Sequence, residues 1–224
     1  KLLHGYEAVA PGTPRCSTKP IELVARAVHD IGVWLYRQDT SRHKDDALGR
    51  WPPSEEHKRF YRRAFLGTVF SHPWYPDYDQ YPEGIADCVG YWAEVRILGG
   101  VMLFDRRDPE SVSEAAVNAV YIHPDRRLVT YRICRLLEDQ KEALALFLGS
   151  GTTPSQRCPL PLLPDQANLE RVDPTEAIET TGIYRDIWER RPLPPSDSDP
   201  RLKDVSDYVN YPSRQDWRES KRRT

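Results

Sequence analysis

A histidine and three carboxylates lie close together in one short stretch and are the side chains best suited to acid–base chemistry. The stretch, residues 72–84, reads HPWYPDYDQYPEG and contains His72, Asp77, Asp79 and Glu83. Acid–base catalysis needs two such groups facing one cleft, with one of them kept protonated by its surroundings. These four residues are therefore the candidate catalytic groups of a hydrolase or transferase acting on a sugar- or nucleotide-like substrate. Carboxylates also bind hard cations, but this spacing matches no calcium-binding loop, and we predict no metal site.

Four large aromatic side chains share residues 72–84, hereafter the aromatic loop: Trp74, Tyr75, Tyr78 and Tyr81. Prolines in the same stretch stiffen its backbone, and rings held on a stiff loop offer wide contact surfaces at a small cost in entropy. Our leading hypothesis is a soluble binding or interaction protein that uses the aromatic loop to capture a protein partner or a small polar ligand. The alternative is that the rings lie on the protein's own core and close it.

A basic and aromatic segment, residues 57–63, precedes the aromatic loop and adds Arg59, Arg62 and Arg63 to the candidate ligand-binding residues. Such a cluster is typical of surfaces that bind phosphate or nucleic acid. The competing interpretation is a solvated helix face, because acids at 55–56 followed by bases suit the helix dipole. The net charge of −2 gives the whole chain no attraction to nucleic acid or to an anionic membrane, so neither is an expected partner.

The chain lacks the glycine patterns of nucleotide-dependent enzymes and the Gly-x-Ser-x-Gly of serine hydrolases, and we predict no cofactor. Its four cysteines, Cys16, Cys88, Cys134 and Cys158, form no CxxC pair, which argues against a metal site built from thiolates. If the protein is secreted, they could form two disulfides in any of three pairings. No apolar run is long enough to cross a membrane, and the N-terminus has no signal-peptide apolar region. We therefore expect a soluble protein, either cytoplasmic or secreted after processing.

The strands that follow the aromatic loop in the chain are predicted from turn signals and from runs of apolar residues. Gly99-Gly100 separates two apolar runs, which indicates a β-hairpin over residues 91–105. Its second strand, from Val101, is nearly all apolar and belongs in the interior of a sheet. A further strand over 115–122 is expected to end at His123-Pro124, because proline cannot continue the ladder.

Longer helices are predicted over 19–37 and 130–148, each with one apolar stripe, and over 55–70, where Ser54 can cap a start that carries two acids. In the first, the buried stripe is expected at Ile21, Val24, Val28, Ile31 and Leu35. His29 lies off that stripe, so we expect it at the surface or in a supporting position rather than as a ligand. A capped start at Asp173-Pro174 predicts one more helix, broken at Thr181-Gly182 and resuming to about Glu189.

These elements predict an α+β fold: a small, mainly antiparallel sheet covered by three to four helices, with an irregular, proline-rich C-terminal third. We expect one domain over 1–191 and a polar linker with a C-terminal extension over 192–224. The proline-rich residues 152–172 and the tail would also suit a structural subunit that docks on a larger assembly. That subunit is the third class of function left open.

Three stretches resemble known proteins. Residues 90–101, GYWAEVRILGGV, and 181–190, TGIYRDIWER, resemble segments of uncharacterised proteins of filamentous fungi, a likeness that spans most of residues 54–217. That resemblance implies no activity, cofactor or catalytic residue. The tripeptide His123-Pro124-Asp125 resembles the loop of a J domain, but residues 114–122 contain no Lys or Arg, where that family has a basic helix. The other interpretation is that a strand ends at His123.

Overall fold

Helices and a five-stranded antiparallel sheet make up the described part of the chain, which confirms the α+β class. The computed structural model describes residues 14–39, 68–112, 116, 118–125, 130–149, 158–165 and 167–191, together with 215, 218 and 222. The helices are α1 (Pro14–Gln38), α2 (Ile85–Leu98), α3 (Glu138–Gly149) and α4 (Ile178–Thr181), with a 3₁₀ turn at Pro109–Ser111. The strands are β1 (Val101–Asp105), β2 (Val120–His123), β3 (Ile133–Arg135), β4 (Arg171–Val172) and β5 (Ile183–Tyr184). No helix within these ranges is long and apolar enough to span a membrane.

The sheet has the strand order β4-β3-β2-β1-β5, and every pair of neighbours is antiparallel. Side chains on β1 alternate between two buried faces. On one face Met102 and Phe104 pack in a core with α1 and α3, and on the other Val101 and Leu103 pack in a core with α2 and the aromatic loop. Because both faces are covered, β1 is apolar along almost its whole length.

The predicted hairpin over 91–105 is wrong in its first arm, because Ile85–Leu98 forms helix α2. Gly99 ends that helix in the left-handed conformation, with φ of 101°, and its N–H donates to Val95 O at 3.2 Å. A helix C-cap and a hairpin turn both require positive φ, so the glycine pair fits either. The deciding feature is burial of α2 on several sides, which removes the one-sided pattern that an amphipathic element shows. The second arm, β1, is buried as predicted.

The helix predicted over 130–148 begins later than expected, because its first residues form a strand. Ile133–Arg135 pairs with β2 on one side and with β4 on the other. Helix α3 starts at Glu138, where the Gln140 side chain accepts a hydrogen bond from Leu137 N at 3.0 Å. That contact is half of a capping box, in which the third helical residue reaches back to the residue that precedes the helix.

Helix α1 confirms the helix predicted over 19–37 and buries part of its predicted stripe, since Ile21 is buried and Val24 and Val28 pack half-buried against the core. Ile31 and Leu35 are 56% and 55% exposed, whereas His29 is buried. The reason is a close approach to α2, since a Cβ added at Gly32 would lie 2.9 Å from the Cβ of Ala93. Small residues on both helices bring the backbones together and turn the His29 side of α1 toward α2.

The break predicted at Thr181-Gly182 is present, but the chain continues differently after it. Gly182 ends α4 with φ of 64°, and its N–H donates to Ile178 O at 2.8 Å. The next two residues form β5 beside β1 instead of resuming a helix. The predicted start is wrong, because the Asp173 side chain accepts a hydrogen bond from Thr175 N at 2.8 Å in a turn, and α4 begins only at Ile178.

Some predictions fall mainly on residues outside the described ranges. Of the helix predicted over 55–70, only 68–70 are described, and these residues are not helical. The extension over 192–224 is described at three isolated positions, so its boundary stays a prediction. The cysteines whose side chains are described are free thiols: Cys88, Cys134 and Cys158.

Candidate functional site

The aromatic loop forms core instead of a contact surface at three of its predicted site residues. Tyr75 and Tyr81 are buried, and both rings contact Tyr91 of α2 at centroid distances of 4.5 and 5.5 Å. His72 is also buried and lies edge-on to Tyr75 at 4.9 Å. The prediction that these rings face outward is wrong. The second face of a sheet buried on both sides needs cover, and the aromatic loop provides it.

Two aromatic site residues, Trp74 and Tyr78, are half-buried against the same core. The Trp74 ring stacks on Tyr131 with 5.9 Å between centroids. Neither ring stands free of the protein surface, so the loop presents far less aromatic surface than the sequence predicts. The other candidate ligand-binding residues lie outside the described residues: Arg59, Arg62 and Arg63.

Neither described cavity is lined by any of the four catalytic candidates: His72, Asp77, Asp79 and Glu83. Asp79 forms a surface ion pair with Arg191 at 2.6 Å, and that hydrogen bond lowers the pKa of Asp79. Glu83 pairs separately with Arg37 of α1 at 2.5 Å. Asp77 is half-buried, and the two cavities described below are lined by residues outside the aromatic loop. The contacts described for Asp79 and Glu83 join them to two different bases, and the acid–base pair that the sequence suggests stays a prediction.

A buried ionic network that the sequence did not predict joins α1, α2 and the segment after β5. The His29 network consists of His29, Asp87, Glu94 and Arg185, all of them buried. His29 Nε2 lies 3.0 Å from Asp87 Oδ1, and His29 Nδ1 lies 2.9 Å from Glu94 Oε1. Arg185 Nη1 donates to Glu94 Oε2 at 2.9 Å. The network thus ties three distant parts of the chain together.

The charges in the His29 network balance. Both ring nitrogens of His29 donate, because ionised carboxylates only accept. Burial opposes the charge on His29, but the hydrogen bonds with Asp87 and Glu94 outweigh burial and raise its pKa. Burial also opposes the charge on Glu94, but Arg185 and His29 outweigh it and lower the pKa of Glu94. Neither described cavity is lined by a member of the network.

A further buried acid, Glu189, lies beside the His29 network. Its Oε2 accepts hydrogen bonds from the backbone N–H groups of Arg185 and Asp186, both at 3.1 Å. Its Oε1 makes no hydrogen bond among the described residues and lies 3.6 Å from Arg190 Nε. Burial raises the pKa of Glu189 to about 7, and the charges of Arg190 and Arg185 offset this effect only in part.

Stability should fall as pH rises through the range in which Glu189 titrates. The folded protein binds this proton more tightly than the unfolded chain, so the stabilisation is present at low pH and lost between pH 4.5 and about 7. His29 acts in the same direction, because its pKa is raised as well. Glu189→Gln keeps the acceptor oxygen but cannot titrate. Over this pH range the free energy of unfolding of the variant should therefore fall by roughly 2 kcal/mol less than that of the wild type. Urea denaturation of both proteins measures the difference, and equal slopes would contradict a protonated Glu189.

His123, the last residue of β2, is buried against the aromatic loop. Its Nε2 lies 3.0 Å from Tyr131 O, a carbonyl that only accepts, so Nε2 donates there. Its Nδ1 lies 3.0 Å from the Tyr75 hydroxyl oxygen. His123 therefore ends a buried strand, which confirms the second interpretation of the His-Pro-Asp tripeptide.

The larger of the two described cavities is a cleft of about 400 Å³ between α1 and the end of β1. This α1–β1 cleft is lined by residues 18, 19 and 22 of α1, residues 104–108, and residues 118–119 before β2. The other cavity, of about 290 Å³, is lined by residues 135–138 and 167–170. The α1–β1 cleft carries the larger set of charged side chains, three bases and three acids, whereas the other cavity has one base, Arg135, which pairs with Glu138 and Glu170.

Buried carboxylates hold the cations of the α1–β1 cleft in place. Glu22 accepts hydrogen bonds from Lys19 Nζ at 2.8 Å and from Arg106 Nη2 at 2.5 Å. Burial opposes the charge on Glu22, but these hydrogen bonds outweigh it and lower the pKa of Glu22. Arg107 donates to Asp105 from Nε at 2.9 Å and from Nη2 at 2.5 Å, and the contact raises the pKa of Arg107. Because the Asp105 side chain is 2% exposed and that of Arg107 is 42% exposed, the base reaches the solvent side.

Asn118 adds a hydrogen-bond acceptor to the α1–β1 cleft. Its side-chain oxygen is buried and has no hydrogen-bond partner among the described residues. Its backbone oxygen accepts a hydrogen bond from Lys141 Nζ at 3.0 Å, which holds the residue in place. Nearly all buried polar atoms in proteins are paired, and an unpaired one costs about 1–3 kcal/mol. An acceptor left unpaired at the wall of a cleft is therefore a candidate ligand contact.

No group of three His, Cys, Asp or Glu side chains is placed to hold a metal ion in the part of the chain that the structure describes. Comparison with known proteins found no matching family, no matching curated protein and no matching solved structure. The function is therefore argued from the geometry of the α1–β1 cleft alone.

Proposed function

We propose that this protein binds a small polar ligand in the α1–β1 cleft. The observation that carries the proposal is the lining of the cleft, where Asn118, whose Oδ1 has no hydrogen-bond partner among the described residues, joins three cations fixed by buried acids. The class of function is the binding role expected from the sequence. The proposed binding site differs from the aromatic loop expected from the sequence, because Tyr75 and Tyr81 of that loop are buried in the core.

The size of the cleft supports a small ligand. Pockets for small molecules typically measure about 300–1,000 Å³, and the volume of 400 Å³ lies near the lower end. At about 30 Å³ for each water-sized group, the cleft holds on the order of a dozen such groups. This is room for a metabolite of a few functional groups, and it is too small for a folded segment of another protein.

The cations of the cleft are prepared for binding before any ligand arrives. Glu22 and Asp105 fix Arg106 and Arg107 through charge-assisted hydrogen bonds, so less side-chain freedom is lost when a ligand binds. A guanidinium has five N–H donors, and the contacts described for Arg107 leave both donors on Nη1 for a ligand.

The proposal is tested by titrating the isotope-labelled protein with a panel of small carboxylates, amino acids, phosphates, amines and sugars at millimolar concentration. We expect at least one class to shift the amide NMR signals of residues 18–22, 104–108 and 118–119 together. Arg191→Gln is a control, because Arg191 lies in an exposed ion pair outside the cleft. If no class shifts the signals of these residues, the proposal is wrong.

Replacing Asn118 with leucine should raise stability and weaken binding at the same time. The substitution removes a buried acceptor that has no partner among the described residues, so the free energy of unfolding should stay equal or rise by about 1 kcal/mol. Ligand affinity should fall, because the acceptor that we assign to the ligand is lost. Thermal unfolding and the NMR titration check the two effects. A loss of stability above about 1 kcal/mol would show that Asn118 has a structural partner instead.

A further inference from the structure

We infer that the ligand of the α1–β1 cleft is a zwitterion that carries a carboxylate and an ammonium group, as a free α-amino acid does. This inference rests on the proposed function and names its ligand class. It follows from three properties of the cleft: the donors that its bases offer, the acceptor that Asn118 offers, and the balance of formal charge across its lining.

The donors of the cleft suit a carboxylate. Arg106 donates from Nη2 to Glu22 at 2.5 Å and from Nε to Tyr184 O at 3.3 Å, which leaves its Nη1 without a partner among the described contacts. Arg107 is the next residue along the chain, and its Nη1 likewise has no partner among the described contacts. Lys19 uses one of its three protons on Glu22. Two neighbouring guanidinium groups and an ammonium are the donors that proteins use to hold a carboxylate.

The acceptor of the cleft suits an ammonium or hydroxyl group. Asn118 Oδ1 needs a donor, and neither a carboxylate nor a fully ionised phosphate can supply one. Asp108 lines the same cleft and adds a negative charge, which favours a charged donor over a neutral one. One end of the ligand is therefore anionic and the other carries a cationic donor.

The formal charge of the lining favours a ligand with no net charge. Three bases, Lys19, Arg106 and Arg107, are matched by three acids, Glu22, Asp105 and Asp108. A ligand with several negative charges, such as a nucleotide, would bring them near those acids, at a cost set by Coulomb repulsion. A zwitterion places each of its charges near the opposite charge and leaves the cleft neutral.

Matched probes separate the two ends of the ligand. We would titrate the full chain with L-phenylalanine, L-3-phenyllactate and phenethylamine, which share a side chain but carry both groups, the carboxylate alone, or the ammonium alone. L-alanine, L-lactate and ethylamine repeat the test without the ring, and inorganic phosphate tests for a general anion site. We expect the amino acids to shift the cleft signals with an affinity at least about tenfold higher than the hydroxy acids, because the hydroxyl of a hydroxy acid can donate only a neutral, weaker hydrogen bond to Asn118 or Asp108 where the ammonium donates a charge-assisted one. The amines should leave these signals unchanged.

Two variants assign the two ends of the ligand. Arg106→Gln leaves Glu22 paired with Lys19 and should weaken the amino and hydroxy acids alike, by about tenfold. Asn118→Leu should weaken the amino acid selectively, so that the preference over the hydroxy acid falls, while Arg191→Gln changes neither affinity. If hydroxy acids, phosphate or sugars shift the cleft signals as strongly as amino acids do, the zwitterion is wrong and the binding cleft stands. If nothing in the wider panel shifts those signals, the proposed function fails with it.

Discussion

Replacing Arg185 with methionine should lower the free energy of unfolding by about 3–5 kcal/mol, the range observed when one partner of a buried ion pair is removed. Methionine keeps an unbranched apolar stem but removes the charge that Glu94 faces at 2.9 Å. Glu94 would keep His29 at 2.9 Å and the longer bond from Met102 N at 3.3 Å. These contacts leave a buried carboxylate with too little compensation for its lost hydration. Urea denaturation at neutral pH measures the loss.

Arg191→Met is the matched control for this prediction. Arg191 also donates to a carboxylate, Asp79 at 2.6 Å, but the two side chains are 48% and 58% exposed. Arg185 and Glu94 are 3% and 0% exposed. Exposed ion pairs contribute about 0–1 kcal/mol to stability. The free energy of unfolding of Arg191→Met should therefore differ from that of the wild type by no more than this amount. Equal, small losses in the two variants would mean that Glu94 does not depend on Arg185 for its charge.

A double-mutant cycle tests whether the His29 network acts as a unit. Glu94→Gln alone leaves the Arg185 guanidinium with the longer contact to Asp186 Oδ2 at 3.3 Å, and Arg185→Met alone leaves Glu94 without its main counter-charge. Each single change removes the main ionic partner of the other side chain. The loss in free energy of unfolding of the double variant should therefore be smaller than the sum of the two single losses, by about 1–3 kcal/mol. Additive losses would show that the two side chains are independent.

The α+β class was predictable because it depends on signals that act over short distances. Strand β1 is an unbroken apolar run after a glycine pair, and α1 has helical spacing of apolar residues over its whole length. Gly99 was identified as a position that needs positive φ, which the structure confirms. The identity of the element before it was not predictable from the glycines, because a cap and a turn use the same conformation.

The His29 network was missed because its members come from separate stretches of the chain. His29 is 65 residues from Glu94, and Arg185 is 91 residues from Glu94. A local signal did exist: Asp87 and Glu94 are two acids seven residues apart, which places them on one face of a helix whose other residues, apart from Arg96, carry no charge. Two such acids in a buried helix require buried bases, and that requirement points to an off-stripe histidine such as His29.

The aromatic loop shows a limit of a different kind. Whether Tyr75 and Tyr81 face inward depends on whether the second face of the sheet has any other cover, which is a property of the whole fold. The α1–β1 cleft has the same origin, since Glu22, Arg106 and Asn118 carry no motif and meet only when β1 lies against α1. Local patterns therefore predicted the helix α1 and the strand β1 on either side of the cleft, but not the cleft itself.

Replacing Gly99 with alanine should cost about 4 kcal/mol or more, above the usual range for a point substitution. The backbone at Gly99 has φ of 101°, which is strained for any residue with a side chain. A Cβ there would lie 2.0 Å from Leu162 O, and this neighbour is backbone that cannot rotate away. The segment would have to move and lose the bond from Leu162 N to Leu98 O at 2.8 Å. Urea and thermal denaturation measure the loss.

Two other glycines, Gly149 and Gly182, allow the same reasoning to be tested even if Gly99→Ala fails to fold. Gly149, the last residue of α3, has nothing within 4 Å of an added Cβ, so Gly149→Ala should be neutral or stabilising by up to about 0.5–1 kcal/mol. Gly182 combines φ of 64° with a contact at 2.3 Å to Arg107 Cγ, a flexible side chain, so Gly182→Ala should lose about 1–3 kcal/mol. It should also weaken ligand binding, because Arg107 lines the α1–β1 cleft. If Gly99→Ala lost no more than Gly182→Ala, positive φ alone would explain both, and the contact with Leu162 would carry no strain.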